Sequence, residues 1–266
     1  MAIPRESFRV KADGVEMDVL AMGHGDPVVL IHGFTASKEA WFFNLDAFAA
    51  KFRVLAVDLP GYGQSTKVVE SPPLGFYAQW VQRLLVHQGI SAAHVVGNSM
   101  GGAVAMELAL TQPGRVKKLV LVDALGMGEA EPGILDRLVR SNTRPEVEAL
   151  LRTVVHDPAM VLPQAVDRSF QYRQEPWVPA LLRRVADLLV ETAPRPDEIR
   201  RRLKSLKMPV LVVWGREDRL LPVAHAAAAA NFSDVRVHIF EQCGHLPQLE
   251  HAEAFNALVT EFLLEN

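Results

Sequence analysis

A serine framed by glycines lies near the middle of the chain, in the pattern Gly97-Asn98-Ser99-Met100-Gly101. A short apolar run at residues 94–96 precedes this pattern, and a helical pattern over residues 103–111 follows it. The arrangement fits the G-x-S-x-G nucleophile elbow, a strained turn that presents a serine hydroxyl between a strand and a helix. Glycines flank the serine because strand and helix pass too close for side chains there. The pattern predicts that Ser99 is a nucleophile.

A serine hydroxyl needs a base to take its proton, and imidazole suits this task because its pKa lies near neutral pH. The chain has nine histidines. In doubly wound α/β proteins, functional groups gather in the loops after the carboxyl ends of strands. Among the histidines, His32 and His245 follow predicted strands of the main fold. His32 stands next to a predicted oxyanion loop, where a structural hydrogen bond suits it better, so we expect His245 to be the base.

The base needs a carboxylate that fixes its tautomer and stabilises the imidazolium. Asp58, Asp123 and Asp218 all follow predicted strands. Asp218 is preferred because it follows the predicted strand nearer the end of the chain and gives the chain order Ser, Asp, His of a known hydrolase triad. Asp123 remains the second choice, since the strand beside the elbow could also present a carboxylate to the histidine.

Attack on a carbonyl group creates an oxyanion, which two aimed backbone N–H groups can stabilise. The N–H of Met100, at the amino end of the helix after the nucleophile, is one natural donor. The N–H of Phe34, in the turn after His32-Gly33, is the other.

Buried strands alternating with helices must position these residues, which predicts an α/β fold with a mostly parallel sheet. An initial hairpin turns at Asp13-Gly14. Strands are predicted over residues 7–11, 16–22, 27–32, 53–58, 94–96, 116–123, 209–215 and 235–240. Helices are predicted over residues 39–50, 76–88, 103–111, 223–230 and 250–264.

The alternation stops between residues 126 and 207, where strand-like runs disappear and short helical patterns replace them. These patterns cover residues 134–139, 146–155, 179–191 and 197–206. We therefore predict a core of residues 1–125 and 208–266 with a helical cap, or lid, at 126–207. Five apolar side chains of this cap are candidates for the substrate pocket, although the sequence favours ordinary packing within the cap for each: Met127, Met160, Phe170, Tyr172 and Trp177.

Composition limits the remaining functions. The 266 residues carry a net charge of −3, which provides no basic face for nucleic acid. The single cysteine, Cys243, excludes an internal disulfide and a cysteine-rich metal site. The amino terminus lacks a signal-peptide pattern, and the chain lacks an apolar run of about 18 residues. We expect a soluble, cytoplasmic protein without membrane insertion, whose oligomeric state the sequence leaves open.

Five sequence blocks together resemble the α/β-hydrolase family over nearly the whole chain. They are His32-Gly33-Phe34, residues 58–65 (Asp-Leu-Pro-Gly-Tyr-Gly-Gln-Ser), Gly97-Asn-Ser-Met-Gly-Gly, Gly215-Arg-Glu-Asp218 and Gly244-His245. The resemblance implies an eight-stranded, mostly parallel sheet with helices on both faces and a cap inserted after the sixth strand. It also implies catalysis without a metal or organic cofactor.

Within the family, Gly-Phe-Thr-Ala-Ser-Lys at 33–38 and Val-Val-Trp-Gly at 212–215 resemble bacterial lipases and carboxylesterases. The sequence therefore favours a carboxylic-ester hydrolase that forms an acyl-enzyme on Ser99 from a small-molecule ester. Carbon–carbon hydrolases of ring-cleavage products share Gly-Asn-Ser, but usually carry a glycine-rich stretch at Phe34-Thr35 and tryptophan at Leu246. Cofactor-free perhydrolases, which often have proline at the position of Thr35, are a further alternative. A small-molecule receptor on the same fold is the alternative of another class.

Overall fold

A computed structural model of the chain describes residues 3–68, 72–128, 133–191, 196–229 and 235–265. Eight strands lie within these residues: β1 Arg5–Ala12, β2 Val15–Met22, β3 Pro27–Ile31, β4 Arg53–Val57, β5 Ala93–Asn98, β6 Val116–Val122, β7 Val210–Gly215 and β8 Val235–Phe240. They form one sheet in the order β1-β2-β4-β3-β5-β6-β7-β8. The pairs β1–β2 and β2–β4 are antiparallel, and every other pair is parallel. The predicted mostly parallel sheet is confirmed.

The described helices are α1 Phe42–Ala49, α2 Leu74–His87, α3 Met100–Thr111, α4 Ile134–Arg140, α5 Arg144–Val154, α6 Pro163–Gln174, α7 Val178–Glu191, α8 Pro196–Ser205, α9 Ala224–Ala229, α10 Pro247–Glu250 and α11 Ala252–Leu264. Short 3-10 turns lie at Lys38–Trp41, Pro113–Arg115 and Pro158–Met160.

Helices cover both faces of the sheet, and the alternation of side chains along β3 shows why. Val29 and Ile31 point to one face, in a core shared with α2, α3 and α9. Val28 and Leu30 point to the other face, in a core shared with α1 and α11. A strand with both faces buried has no polar side, which explains its uninterrupted apolar sequence.

Several predicted helix limits differ from the structure. The predicted helix at 39–50 divides into a 3-10 turn and α1, and the one at 250–264 divides into α10 and α11. Helix α3 starts at Met100, three residues before the predicted start, because the glycines after Ser99 are already helical. Helix α6 was missed, since its sequence is mostly polar and few of its side chains are buried.

Five helices, α4 to α8, lie between β6 and β7, where the sequence predicts the cap. Helix α5 packs on α6, and α7 packs on α4 and α6. Two stretches of the segment between β6 and β7 lie outside the described residues, namely 129–132 and 192–195. The carboxyl ends of β3 and β5 to β8 share one edge of the sheet, because these strands are parallel.

Candidate active site

Ser99 occupies a strained turn directly after β5. Its backbone has φ 55° and ψ −119°, a conformation that side-chain-bearing residues rarely adopt. The N–H of Ser99 donates to Val122 O of the neighbouring β6 (2.9 Å), and its carbonyl accepts from Gly102 N at the start of α3 (3.0 Å). The turn is thus held by the strand next to it and by its own helix.

The two glycines around Ser99 are required by close backbone packing. A methyl group on Gly97 would clash with the carbonyl oxygen of Gly101, and one on Gly101 would clash with the carbonyl oxygen of Ile31. The backbones of β5, α3 and β3 therefore approach each other more closely than side chains allow. This is the crossing that the sequence pattern predicts for an elbow.

His245 and Asp218 form a buried pair beside the serine turn. Nδ1 of His245 lies 2.7 Å from Oδ2 of Asp218, and both side chains are buried. Oδ1 of Asp218 accepts from the backbone N–H groups of Leu220 (2.8 Å) and Leu221 (3.1 Å). Burial opposes the ionisation of Asp218, but the imidazole and these two N–H groups outweigh it and lower the pKa of this carboxyl.

The backbone of His245 is fixed from two sides. Its N–H donates to Val154 O at the end of α5 (2.7 Å), and its carbonyl accepts from the side-chain amide of Asn98 (3.3 Å). The carboxylate of Glu250 accepts from the N–H groups of Gly244 (3.0 Å) and Leu246 (3.2 Å). The carboxylate of Glu250 thus holds the loop between β8 and α10. The sequence did not point to Glu250, because the candidates were sought in loops after strands and this residue lies on a helix.

His32 holds the turn that contains Phe34. Leu59 N donates to Nε2 of His32 (3.1 Å), so Nδ1 carries the ring proton and donates to Gly33 O (2.8 Å). Burial lowers the pKa of His32 and keeps the ring neutral, which this pattern of one donor and one acceptor requires. The predicted structural function of His32 agrees with these contacts.

Both predicted oxyanion donors stand beside Ser99. Phe34 lines the same cavity as Ser99, and a methyl group on Gly33 would lie 3.1 Å from Ser99 Cβ. Met100 is the first residue of α3, where an N–H has no acceptor within its own helix. Their action as oxyanion donors remains a prediction.

Asp123, the second candidate for the acid, lies directly after β6 and is fully buried. Its Oδ1 accepts from Gly215 N at the end of β7 (3.0 Å). The imidazole nitrogen Nδ1 of His245 is bonded to Asp218 instead. The structure therefore pairs the histidine with the first of the two predicted candidates.

A cavity of about 590 Å³ opens above the serine turn. From the core it is lined by Ser99, His245, Leu246 and Leu249, by the segment 33–40, and by Asn98, Asp58, Gly63, Gln64 and Leu220. From the segment between β6 and β7 it is lined by Leu138, Leu151, Val154, Leu162, Gln164, Ala165, Arg168, Ser169 and Tyr172. Arg168 of α6 also pairs with Glu39 of the core across this cavity.

One of the five predicted pocket residues of the cap, Tyr172, lines this cavity. Among the described residues, the other four lie outside its lining. Met127 is buried in the main core, and Met160 is 41% exposed on the surface. Phe170 is partly buried on α6, and Trp177 packs edge-on against Tyr172 with 5.6 Å between ring centroids. The lining of this cavity thus includes one of the five candidates, because sequence shows that a side chain is apolar but not which way it points.

Comparison with known proteins supports the class that the sheet and the serine turn define, the α/β-hydrolases. A family model described as alpha/beta hydrolase fold matches residues 26–252. The chain therefore belongs to the α/β-hydrolase family and is an enzyme of the hydrolase class.

Three similar proteins span most of the chain. A dihydrolipoyllysine-residue acetyltransferase component of the acetoin cleaving system from Cupriavidus necator is 36% identical over 94% of this chain. This chain spans 67% of that protein, about two thirds of its length. A 2-hydroxy-6-oxononadienedioate/2-hydroxy-6-oxononatrienedioate hydrolase from Burkholderia vietnamiensis is 35% identical, over 96% of this chain and 93% of its own. The solved structure of a 2-hydroxy-6-oxo-6-phenylhexa-2,4-dienoate hydrolase from Rhodococcus sp. superposes with a TM-score of 0.87 and 26% identity, over 99% of this chain and 100% of its own.

Within the part of the chain that the structure describes, no helix has the length and hydropathy needed to cross a bilayer.

Proposed function

We propose that the protein is a serine-dependent hydrolase that cleaves a carbon–carbon bond next to a ketone in ring-cleavage products of the 2-hydroxy-6-oxodienoate type. The observation that carries this proposal is the 35% identity, over nearly the full length of both chains, to a 2-hydroxy-6-oxononadienedioate hydrolase. The relatives thus favour the carbon–carbon alternative over the carboxylesterase that the sequence motifs favoured.

The proposed chemistry uses Ser99, His245 and Asp218 together. His245 takes the proton of the Ser99 hydroxyl as its oxygen attacks the ketone carbon, and Asp218 stabilises the resulting imidazolium. The carbon–carbon bond then breaks, the acyl group stays on Ser99, and the carbon leaving group receives the proton from His245. Water next releases the acid and restores the hydroxyl, so one water is consumed for each bond broken.

The N–H groups of Phe34 and Met100 are the proposed donors to the oxyanion in both steps. A donor of this kind contributes about 3 to 4 kcal/mol to the stabilisation of the transition state. His32 supports this function indirectly, since its 2.8 Å bond to Gly33 O holds the turn that carries Phe34.

The cavity supports a medium-sized, largely hydrocarbon substrate. Its volume of about 590 Å³ lies within the usual range of small-molecule sites, about 300 to 1,000 Å³. Its aliphatic lining, which includes Leu138, Leu151 and Leu249, suits the apolar part of such a substrate. Polar groups such as Gln164 and Ser169 are available for the substrate's oxygen atoms.

Hydrolysis of a carboxylic ester is the second candidate. The cavity wall directly after His245 is Leu246, an aliphatic side chain where the carbon–carbon hydrolases usually carry tryptophan. Phe34-Thr35 likewise occupies the position of a glycine-rich stretch. Both departures favour an acyl chain over a planar conjugated one. The same acyl-serine step would serve either substrate.

Parallel turnover assays separate the two candidates. Purified protein is supplied with 2-hydroxy-6-oxo-6-phenylhexa-2,4-dienoate, followed by loss of its conjugated absorbance, and with p-nitrophenyl esters of increasing chain length. We expect repeated turnover of the dienoate at a higher kcat/KM than any ester. Ser99→Ala should abolish it, whereas Ser205→Ala, on the exposed face of α8, should not.

Three other results of these assays would change the assignment of function or of the nucleophile. Turnover of esters but not of the dienoate would establish the second candidate. A single slow burst with persistent modification of the protein on every substrate would indicate a receptor. Dienoate cleavage by Ser99→Ala at the wild-type rate would overturn the assignment of the nucleophile.

A further inference from the structure

The carboxyl group of Asp123 has one oxygen without a donor. The side chain is fully buried at the end of β6, and Oδ1 accepts from Gly215 N. In the described part of the chain, no group hydrogen-bonds to Oδ2. A buried carboxyl oxygen without a partner is costly, so this atom requires an explanation.

The carboxylate of Asp218 has one acceptor position that no donor among the described residues fills. An ionised carboxylate offers about four acceptor positions. Three of them are filled, two on Oδ1 by the N–H groups of Leu220 and Leu221, and one on Oδ2 by His245. The side chain of Asp123 lies within hydrogen-bonding reach of Asp218. One ligand atom from each of Asp123, Asp218 and His245 falls within 4.8 Å of the other two.

Two carboxylates cannot both be ionised at this distance in a buried site. Asp218 keeps its charge, because the imidazole of His245 and two backbone N–H groups stabilise it. Among the described residues, one N–H group donates to Asp123, which is buried and faces the negative charges of Asp218 and of Glu250 on α10. Burial first, and then these two negative charges, raise the pKa of Asp123 well above its usual value.

We propose that Asp123 is a protonated carboxylic acid that donates a hydrogen bond from Oδ2 to the carboxylate of Asp218, and so positions the Asp218–His245 pair. Asp123 does not touch the reacting atoms in this arrangement, so it is a positioning residue. The proposal rests on the function proposed above, in which Asp218 is the ionised partner of His245.

The neutral donor explains how two acidic residues share one buried site. The proton between them leaves a single negative charge, which the imidazolium formed during catalysis can compensate. It also fills the fourth acceptor position of Asp218 and so fixes the plane of that carboxylate. An amide in place of the Asp123 carboxyl would do the same, because it donates from nitrogen and accepts from Gly215 with its oxygen.

The backbone of Asp123 decides which variants are informative. Its φ is 42°, in the left-handed region that asparagine and glycine tolerate and alanine does not. Asp123→Asn keeps a neutral donor, and Asp123→Gly removes the side chain without backbone strain. The two variants therefore compare a neutral donor with no side chain at all, and Asp123→Gly also removes the acceptor of Gly215 N.

Labelling by a fluorophosphonate, which phosphonylates an activated serine with loss of fluoride, measures the reactivity of Ser99 without any particular substrate. We expect Asp123→Asn to be labelled within about threefold of the wild-type rate, and Asp123→Gly about 10- to 100-fold more slowly. Equal slowing in the two variants would overturn the proposal, because it would mean that a carboxylate is needed. A wild-type rate in Asp123→Gly would also overturn it. Ser99→Ala tests the proposed function separately, since labelling of that variant would refute the nucleophile and not Asp123.

Infrared spectroscopy tests the proton directly, even where Asp123→Gly does not fold. At neutral pH, wild type should show the C=O band of a protonated carboxyl group that Asp123→Asn lacks. Absence of a difference at this band would overturn the proposal.

Discussion

The side-chain amide of Asn98 donates a 3.3 Å hydrogen bond to the backbone carbonyl of His245, which lies 147 residues further along the chain. The same nitrogen donates to Val122 O (3.2 Å). Asn98 therefore joins the end of β5, immediately before Ser99, to the end of β6 and to the histidine loop. One amide thus links the strand before the proposed nucleophile to the loop that carries its base.

Replacing Asn98 should loosen this connection. Asn98→Ala removes the side-chain donor to the buried carbonyl of His245 and leaves Val122 O with Ser99 N as its donor, so we expect the free energy of unfolding to fall by about 1 to 3 kcal/mol. The kcat should fall about tenfold as His245 becomes less well positioned, with a smaller change in KM. Denaturant titration and steady-state kinetics measure the two effects. Asn142→Ala, at an exposed position before α5, is the control, and equal behaviour of both variants would contradict the prediction.

The serine turn depends on Gly101 for packing. A side chain there would meet the carbonyl oxygens of Ile31, the last residue of β3, and of His32 directly after it, and this backbone cannot move freely. We expect Gly101→Ala to lower the free energy of unfolding by about 3 kcal/mol or more in urea titration. Gly114→Ala, where a methyl group meets no atom within 4 Å, should change it by less than about 1 kcal/mol. A Gly101→Ala protein as stable as wild type would contradict this, because it would mean that the backbones of α3 and β3 can move apart to accept a methyl group.

Asp218→Asn should nearly abolish turnover while leaving the fold intact. The amide removes the negative charge that stabilises imidazolium and holds the correct tautomer, so kcat should fall by about 10⁴. Glu217→Gln is the matched control, because Glu217 precedes Asp218 in the same turn and accepts from Cys243 N (2.9 Å). Comparable kcat values for the two variants would exclude Asp218 as the partner of His245.

His94 should make stability depend on pH. Burial first, and then the nearby charge of Lys117, lower the pKa of His94 from 6.5 to about 4. The unfolded chain therefore binds this proton more tightly than the folded one. The contribution of neutral His94 to the free energy of unfolding is complete above pH 6.5 and is lost as the pH falls towards 4.

We expect the free energy of unfolding to fall by about 1 to 3 kcal/mol over that interval through this group. His94→Gln should flatten the dependence in denaturant titrations at several pH values, and His87→Gln, at the end of α2, should not. An unchanged slope in His94→Gln would assign the dependence to other groups.

Much of the fold could be predicted from local patterns. The apolar runs of β3, β5, β6 and β7 are visible in sequence because both faces of these strands are buried. The spacing Gly97-Asn98-Ser99-Met100-Gly101 identifies the serine turn because two backbone crossings exclude side chains at fixed positions. Helix α6 has no comparable signal, since few of its residues are buried and its cavity side is partly polar.

The sequence by itself determined the succession of strands along the chain, the serine turn and the loops in which a histidine and an acid had to lie. Each of these depends on residues that are neighbours in the chain or recur at a regular period. Only the tertiary structure decided that Asp218 bonds to His245, whereas Asp123 has an oxygen that no described group contacts by a hydrogen bond. It also decided that Tyr172, and not Trp177, lines the cavity. Such choices depend on where side chains from distant segments point, to within an ångström, and no local pattern encodes that direction.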